Sequence, residues 1–395
     1  MLMKYSKVCE IYQKLENTTK GLEKTSILSD FLDEIKDTPE YIYLFQGRVF
    51  ADYDPRELGM SIQLVIRSIA KASGYSDSEV LSSFKEHGDL GIVASEFIGH
   101  KKQQQSLFSS KLDMKKVFLS LQKIASFEGK GTVEQKIGIV VDLLHSASPR
   151  EAKYIVRTVL GDLKVGVGDG ILRDSIVQYV YKPEDIPEKK EYVGKLQEAY
   201  DKATDFALVF SKAMANELDT IMLSPGKPVK VMLYPKAKDA EEAFTIVSSP
   251  AAFEYKYDGF RVMVNKDKDG KITIFTRRLD DVTRQFPDIV LFVQENIKGK
   301  SFIIDAEVIG YDLKTKKYKE FQAISQRIRR KHNIERMVEE QPVELCVFDI
   351  IYFEERSLIE EEYQVRRALL ERVVNEKKWK VKLIEQIVTG DVNKA

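Results

Sequence analysis

The 395-residue chain has no apolar run near the ~18 residues that a membrane-spanning helix needs, so no span is expected. It has only two cysteines, Cys9 and Cys346, far apart in sequence. That excludes a disulfide framework or a cysteine-based zinc site and points to a reducing cytosol. It has no surplus of either charge, 62 basic residues standing against 62 acidic. A strong, diffuse nucleic-acid binder would carry a basic excess. There is no internal repeat and no extended low-complexity segment. The N-terminal stretch MLMKYSKVCEIYQKLENTTKG lacks the apolar block of a signal peptide and reads as an amphipathic helix.

What is there suits a globular protein of two or three domains, with 43% hydrophobic and 31% charged residues. The charge is unevenly spread. Residues 101–136 hold eight lysines against Asp113, Glu128 and Glu134, and residues 314–331 hold eight basic residues against Glu320 alone. Either patch by itself is an ordinary solvated face; two together favour a phosphate-rich partner.

Two textures divide the chain. Up to residue 218 the pattern is helical. MSIQLVIRSIAKASG places Ile62, Val65, Ile66 and Ile69 on one helix face, with Gly74 as a stop. Ser148, Pro149 and Glu151 form a helix-start signal, a capping box with proline at the first helical position. From about residue 229, short β-branched and aromatic runs alternate with turn residues, and Asp269-Gly270 marks a hairpin tip. The expectation is multidomain: an all-α domain over residues 1–218, then an α+β domain built on antiparallel sheet over 219–395.

FEYKYDGFRV, residues 253–262, crowds Glu254, Lys256, Asp258 and Arg261 around one lysine. In an extended strand Glu254, Lys256 and Asp258 share a face, with Tyr255 and Tyr257 packed on the other. A nucleophilic lysine must shed its proton, which desolvation and a neighbouring cation such as Arg261 promote.

EYKYDGFR resembles the adenylation motif of ATP-dependent DNA ligases, and three further segments follow in that family's order. FTRRLDDVTRQFPDIV resembles the segment whose arginine, here Arg277, grips nucleotide or nick phosphate. SFIIDAEVIG resembles the strand with a ribose-binding acid, here Glu307, with Asp305 as the local competitor. VFDIIYF resembles the strand whose aromatic, here Phe348, stacks on adenine. The resemblance implies that Lys256 takes AMP from ATP with Mg²⁺ present, that Glu254 reads the adenine amine, and that Arg261 holds phosphate or ribose.

YIVRTVLGDLKVGVGDGILRDSI, GDLGIVAS and PGKPVKVMLYPKA resemble archaeal-type members, whose helical first domain clasps DNA around a nick. Gly-rich loops at helix starts suit phosphates, so Lys164, Gly166, Gly168, Gly170 and Arg173 are expected DNA contacts, together with Arg327, Arg329 and Arg330. QQQSLF resembles the family's sliding-clamp motif, with Gln104 as anchor and Leu107 and Phe108 as the plug. The implied protein is a monomer in the cytoplasm, at the nucleoid, sealing nicked duplex DNA in replication, repair and recombination.

The family continues with an EGLMVK-type strand, a further lysine-bearing strand and an OB-fold, none of which precedes Ala395. The expectation is therefore a nucleotidyltransferase domain incomplete at its C-terminus, the OB-fold absent, and impaired catalysis. An RNA ligase or capping-type nucleotidyltransferase shares the lysine motif but leaves the helical half unexplained. A non-enzymatic nick-binding protein with a defunct catalytic half is the other alternative.

Overall fold

A computed structural model describes residues 3–101, 112–127, 129, 131–231, 235–330 and 332–395. Gln104, Leu107 and Phe108 lie outside the described residues. The chain divides into two compact units, residues 1–200 with 205–221, and residues 201–204 with 222–395.

The first unit is helical, with no strand among its described residues beyond an isolated bridge between Lys4 and Asp113. Its helices form where the sequence supplies both a stripe and a cap. Helix Ile62–Ser73 starts on Ser61, whose hydroxyl accepts from the Leu64 N–H, and ends on Gly74 in the left-handed region. It buries Val65, Ile66 and Ile69, while Ile62, at the first turn, stays 47% exposed. Helix Pro149–Val159 carries the full capping box: Ser148 accepts from the Glu151 N–H, and Glu151 accepts from the Ser148 N–H. Its buried face meets the aromatic core, where Tyr154 lies 5.0 Å from Tyr12 and Tyr12 lies 5.5 Å from Phe45.

In the second unit, strands β2 (Phe260–Lys266), β3 (Ile272–Thr276), β4 (Phe302–Gly310), β5 (Val343–Phe353), β6 (Arg356–Ser357) and β7 (Val381–Leu383) make one sheet. Its order is β3-β2-β4-β5-β6, antiparallel throughout, except that β7 pairs parallel with β5. The β2–β3 hairpin closes at Asp269-Gly270, with the Gly270 N–H donating to the Asp267 carbonyl at 3.0 Å. A separate antiparallel pair joins β1 (Ala251–Glu254) to β8 (Gln386–Thr389).

Period-two alternation gives the larger sheet two unlike faces. Phe260, Val262, Val264, Ile304, Ala306, Val308 and Val347 point into the main core, against Ile289 and Val293 of helix Pro287–Asn296 and Leu370 of helix Tyr363–Val373. The opposite face carries Arg261, Asp305 and Glu307. Both cysteines are free and buried. No helix among the described residues is long and apolar enough to cross a membrane.

Removing the Ser148 hydroxyl leaves the Glu151 N–H, in the first turn of a core helix, without its partner. Ser148→Ala is expected to lower the stability of the helical unit by about 1 kcal/mol in denaturant unfolding, with Ser148→Asp close to wild type.

Candidate active site

The strand that carries the lysine motif is shorter than alternation predicts. β1 ends at Glu254, and residues 255–257 run as an irregular link toward β2. Tyr255 is therefore 63% exposed rather than packed on an opposite face, and Lys256 projects from a link instead of a strand. Asp258 then turns the chain, its carboxylate accepting from the Phe321 N–H at 3.2 Å.

Gly259 is fixed by space. A Cβ there would lie 2.3 Å from the Val308 carbonyl oxygen and 3.0 Å from Cγ of Glu307. This close approach brings the motif against β4 and lets the Gly259 N–H reach the Glu307 carboxylate. In the register that follows, Arg261 stands opposite Glu307 and Met263 opposite Asp305.

Arg261 turns to Asp305 rather than to its direct partner. Nε donates to Oδ1 at 3.0 Å and Nη2 to Oδ2 at 2.6 Å, a bidentate pair. Asp305 is 4% exposed and fully engaged, so Glu307 is the acid left available. The positive charge of Arg261 is matched at once by Asp305, so it is not the uncompensated cation beside Lys256 that the sequence suggested. Burial pushes the Glu307 carboxyl up to about 7, against the opposing pull of Lys256, Arg261 and the Gly259 N–H.

Phe348 reaches the same face through an irregularity. Asp305 pairs with Asp349 and Ala306 with Val347, which leaves Phe348 as an extra residue in β5, a β-bulge. Its ring is half-buried, 5.3 Å from the Arg261 guanidinium carbon. Arg277 is exposed in the turn after β3, one residue beyond the Val262–Thr276 pair and so at the Arg261 end of the sheet.

Four residues that sequence reasoning missed complete the site. Arg366 clamps Asp349 with bonds of 2.8 and 3.0 Å. The Tyr363 hydroxyl donates to Glu254, and Lys382 donates to the Tyr257 hydroxyl at 2.8 Å. Tyr363 and Arg366 lie about a hundred residues beyond the lysine, in a segment with no motif of its own. Only the register of Cys346 with both Glu307 and Lys382 aligns β7 with the site.

The expected DNA contacts divide. Lys164, Gly166, Gly168 and Gly170 are exposed in and beside the loop before helix Asp169–Val180. The nearly buried Lys24 shapes that loop by donating to the carbonyls of Val165 at 2.5 Å and Gly166 at 3.2 Å. Lys164 pairs with Asp89 at 3.2 Å, and Arg173 with Asp174 at 2.8 Å. Arg329 and Arg330 are exposed. Arg327 is a correction: it is 0% exposed, pairs with Asp288, donates to the carbonyls of Gln285 and Gln341, and lies over the Phe286 ring. A basic run in sequence does not reveal which cation points inward, and this one holds the core together instead of meeting phosphate.

The structure sets a lysine beside a sheet face that bears an available acid, an arginine and an upturned aromatic, the arrangement expected of a nucleotidyltransferase. Residues 4–177 match the family described as DNA ligase N terminus, and residues 231–395 match the ATP dependent DNA ligase domain. DNA ligase of Nanoarchaeum equitans is 41% identical over the whole chain, which spans 68% of that relative. DNA ligases of Thermococcus onnurineus and Thermococcus fumicolans are each 38% identical over the whole chain, covering 68% and 69% of their lengths. The chain belongs to the ATP-dependent DNA ligase family. It is an enzyme of that class, and its helical first half accords with neither an RNA ligase nor a capping enzyme.

Glu307 yields a pH prediction. Its folded pKa of about 7 lies above the ordinary 4.5, so the stability it contributes is full below about 4.5 and is lost as pH rises through 7. Glu307→Gln mimics the protonated form. Its stability advantage over wild type is expected to grow from pH 4.5 to pH 8 in parallel unfolding titrations; a constant difference would contradict the placement.

Proposed function

We propose that Lys256 is the residue that accepts AMP in ATP-dependent nick sealing. The neutral Nζ attacks the α-phosphorus of ATP. The Nζ–P bond forms as the bond to the bridging oxygen breaks, pyrophosphate leaves with that electron pair, and Nζ loses its remaining excess proton to solvent. AMP passes to the 5′-phosphate of a nick, and the 3′-hydroxyl then displaces AMP to close the backbone.

The observation that carries this reading is the convergence of Glu307, Arg261 and Phe348 at one end of a single sheet face, beside the link that carries Lys256. Phe348, lifted by its bulge, offers adenine a stacking surface. Glu307 accepts from the ribose hydroxyls, and Glu254 from the adenine amine. Arg261 spends Nε and one Nη2 hydrogen on Asp305, which leaves Nη1 to donate to phosphate. Arg277 meets nucleotide or nick phosphate from the neighbouring turn. Mg²⁺ would accompany the triphosphate. Among the described residues no group of three or more His, Cys, Asp or Glu is arranged to hold a metal ion, and Asp305 and Asp349 are both committed to arginines.

For DNA, residues 1–218 hold 30 basic and 32 acidic side chains, so binding must come from a focused surface rather than net charge. We assign it to the loop of Lys164, Gly166, Gly168 and Gly170 with Arg173, and to Arg329 and Arg330 of the second unit. These are backbone contacts, which position the duplex without reading its sequence.

Two outcomes test this. With α-labelled ATP, the covalent label, whatever its yield, is expected to vanish in Lys256→Ala while nicked-DNA binding stays within about twofold; a labelled mutant would overturn the assignment. Binding to nicked duplex is expected to weaken linearly in log salt, and Lys164→Ala with Arg173→Ala to reduce that slope by about 2. An unchanged slope would remove the loop from the interface.

A further inference from the structure

Glu254 is exposed at the end of β1, and nothing in its own strand holds its carboxylate. The support comes from helix Tyr363–Val373. The Tyr363 hydroxyl donates to Oε1 of Glu254 and lies 3.4 Å from the Phe348 carbonyl and 3.5 Å from the Gln386 side-chain oxygen. One phenol thus touches the strand of the adenine-reading acid, the bulge of the stacking aromatic, and β8.

Tyr363 is itself held. Its ring faces the Arg366 guanidinium at 5.7 Å, one helical turn on, and Arg366 is locked by two bonds to Asp349 and one to the Glu361 carbonyl. The phenol is therefore a fixed donor rather than a swinging one.

We infer that Tyr363 is a specificity-determining positioning residue: it holds Glu254 by one carboxylate oxygen and aims the second at the 6-position of the purine. This rests on the reading of Glu254 as the adenine contact. The chemistry is selective because an ionised carboxylate can only accept, which suits the 6-amino group of adenine and repels a 6-oxo group. A protonated carboxyl donates and reverses the preference.

The groups around Glu254 show what Tyr363 opposes. Crowding of the carboxyl by protein pushes its pKa up, and Asp349 of β5 pushes the same way. Tyr363 and Arg367, both from helix Tyr363–Val373, pull it down, with the Tyr363 bond the larger of the two. Arg367 is already shared with Glu371 at 3.0 Å and the Ile384 carbonyl at 3.0 Å. Removal of the phenol hydroxyl therefore leaves Glu254 easier to protonate while the ring and the helix stay in place.

The test is equilibrium binding to the full chain of ATP, inosine triphosphate and purine riboside triphosphate, which carries no 6-substituent, with EDTA present so that no transfer occurs. Wild type, Glu254→Ala and Tyr363→Phe are compared from pH 6 to 8. Wild type is expected to prefer ATP over the unsubstituted purine by about tenfold, the worth of one bond to a charged group. Glu254→Ala should abolish that preference. Tyr363→Phe should reduce it severalfold and move preference toward inosine triphosphate as pH falls, with little change for the unsubstituted purine. If Glu254→Ala keeps the preference, the adenine reading of Glu254 is wrong. If Glu254→Ala abolishes it and Tyr363→Phe does not alter it, the reading of Glu254 stands and the role of Tyr363 falls. Equal weakening of all three nucleotides in Tyr363→Phe, independent of pH, would reduce Tyr363 to a packing residue. A wild type with no preference would leave Tyr363 nothing to support and would overturn the proposal.

Discussion

The ion pair between Arg261 and Asp305 is the constraint on which the site depends. One face of the sheet is an apolar core, and the other must hold charges only a strand's thickness away. Asp305 is almost wholly enclosed, and burial pushes its carboxyl up while Arg261 pulls it down. A buried carboxylate that loses its partner costs roughly 3–5 kcal/mol, so the guanidinium is held by the fold as firmly as it holds Asp305. The neighbouring Asp349 repeats the arrangement with Arg366. Glu307 shares this face without an arginine ion pair, and burial, which raises both acids, leaves its carboxyl up at about 7.

Backbone geometry turns this charge pattern into a site. The missing Cβ of Gly259 lets the link from Lys256 press onto β4, and the bulge in β5 lifts Phe348 toward Arg261. Neither device adds an interaction of much strength. The bulge re-aims Phe348 by relaxing strand pairing at one residue, and Gly259 acts by letting backbone approach backbone. Lys256 stands outside regular structure, where its long side chain can approach an incoming phosphate without a ladder bond being broken.

Much of this was legible in the sequence where the signal is local. The capping box at Ser148, the stop at Gly74 and the hairpin at Asp269-Gly270 depend on residues within a few positions, and all three form. The spacing from Lys256 to Arg261 was visible, but the end of β1 at Glu254 was not, because alternation continues in the letters after the pairing partner, β8, has run out. Tyr363, Arg366 and Lys382 were invisible for a related reason: register across strands and a helix's rotation bring them in, and no short pattern encodes either. Arg327 was misread because a run of cations shows charge but not direction, and Asp288, its partner, lies 39 residues upstream in a different helix.

Whether this sheet face delivers AMP to one lysine is decided by locating the nucleotide. The chain would be incubated with ATP and Mg²⁺, digested, and its peptides mapped by mass spectrometry. One AMP on the peptide containing Lys256, and on no other lysine, is the predicted result. AMP carried by a different residue, with Lys256 unmodified in the same sample, would contradict the account.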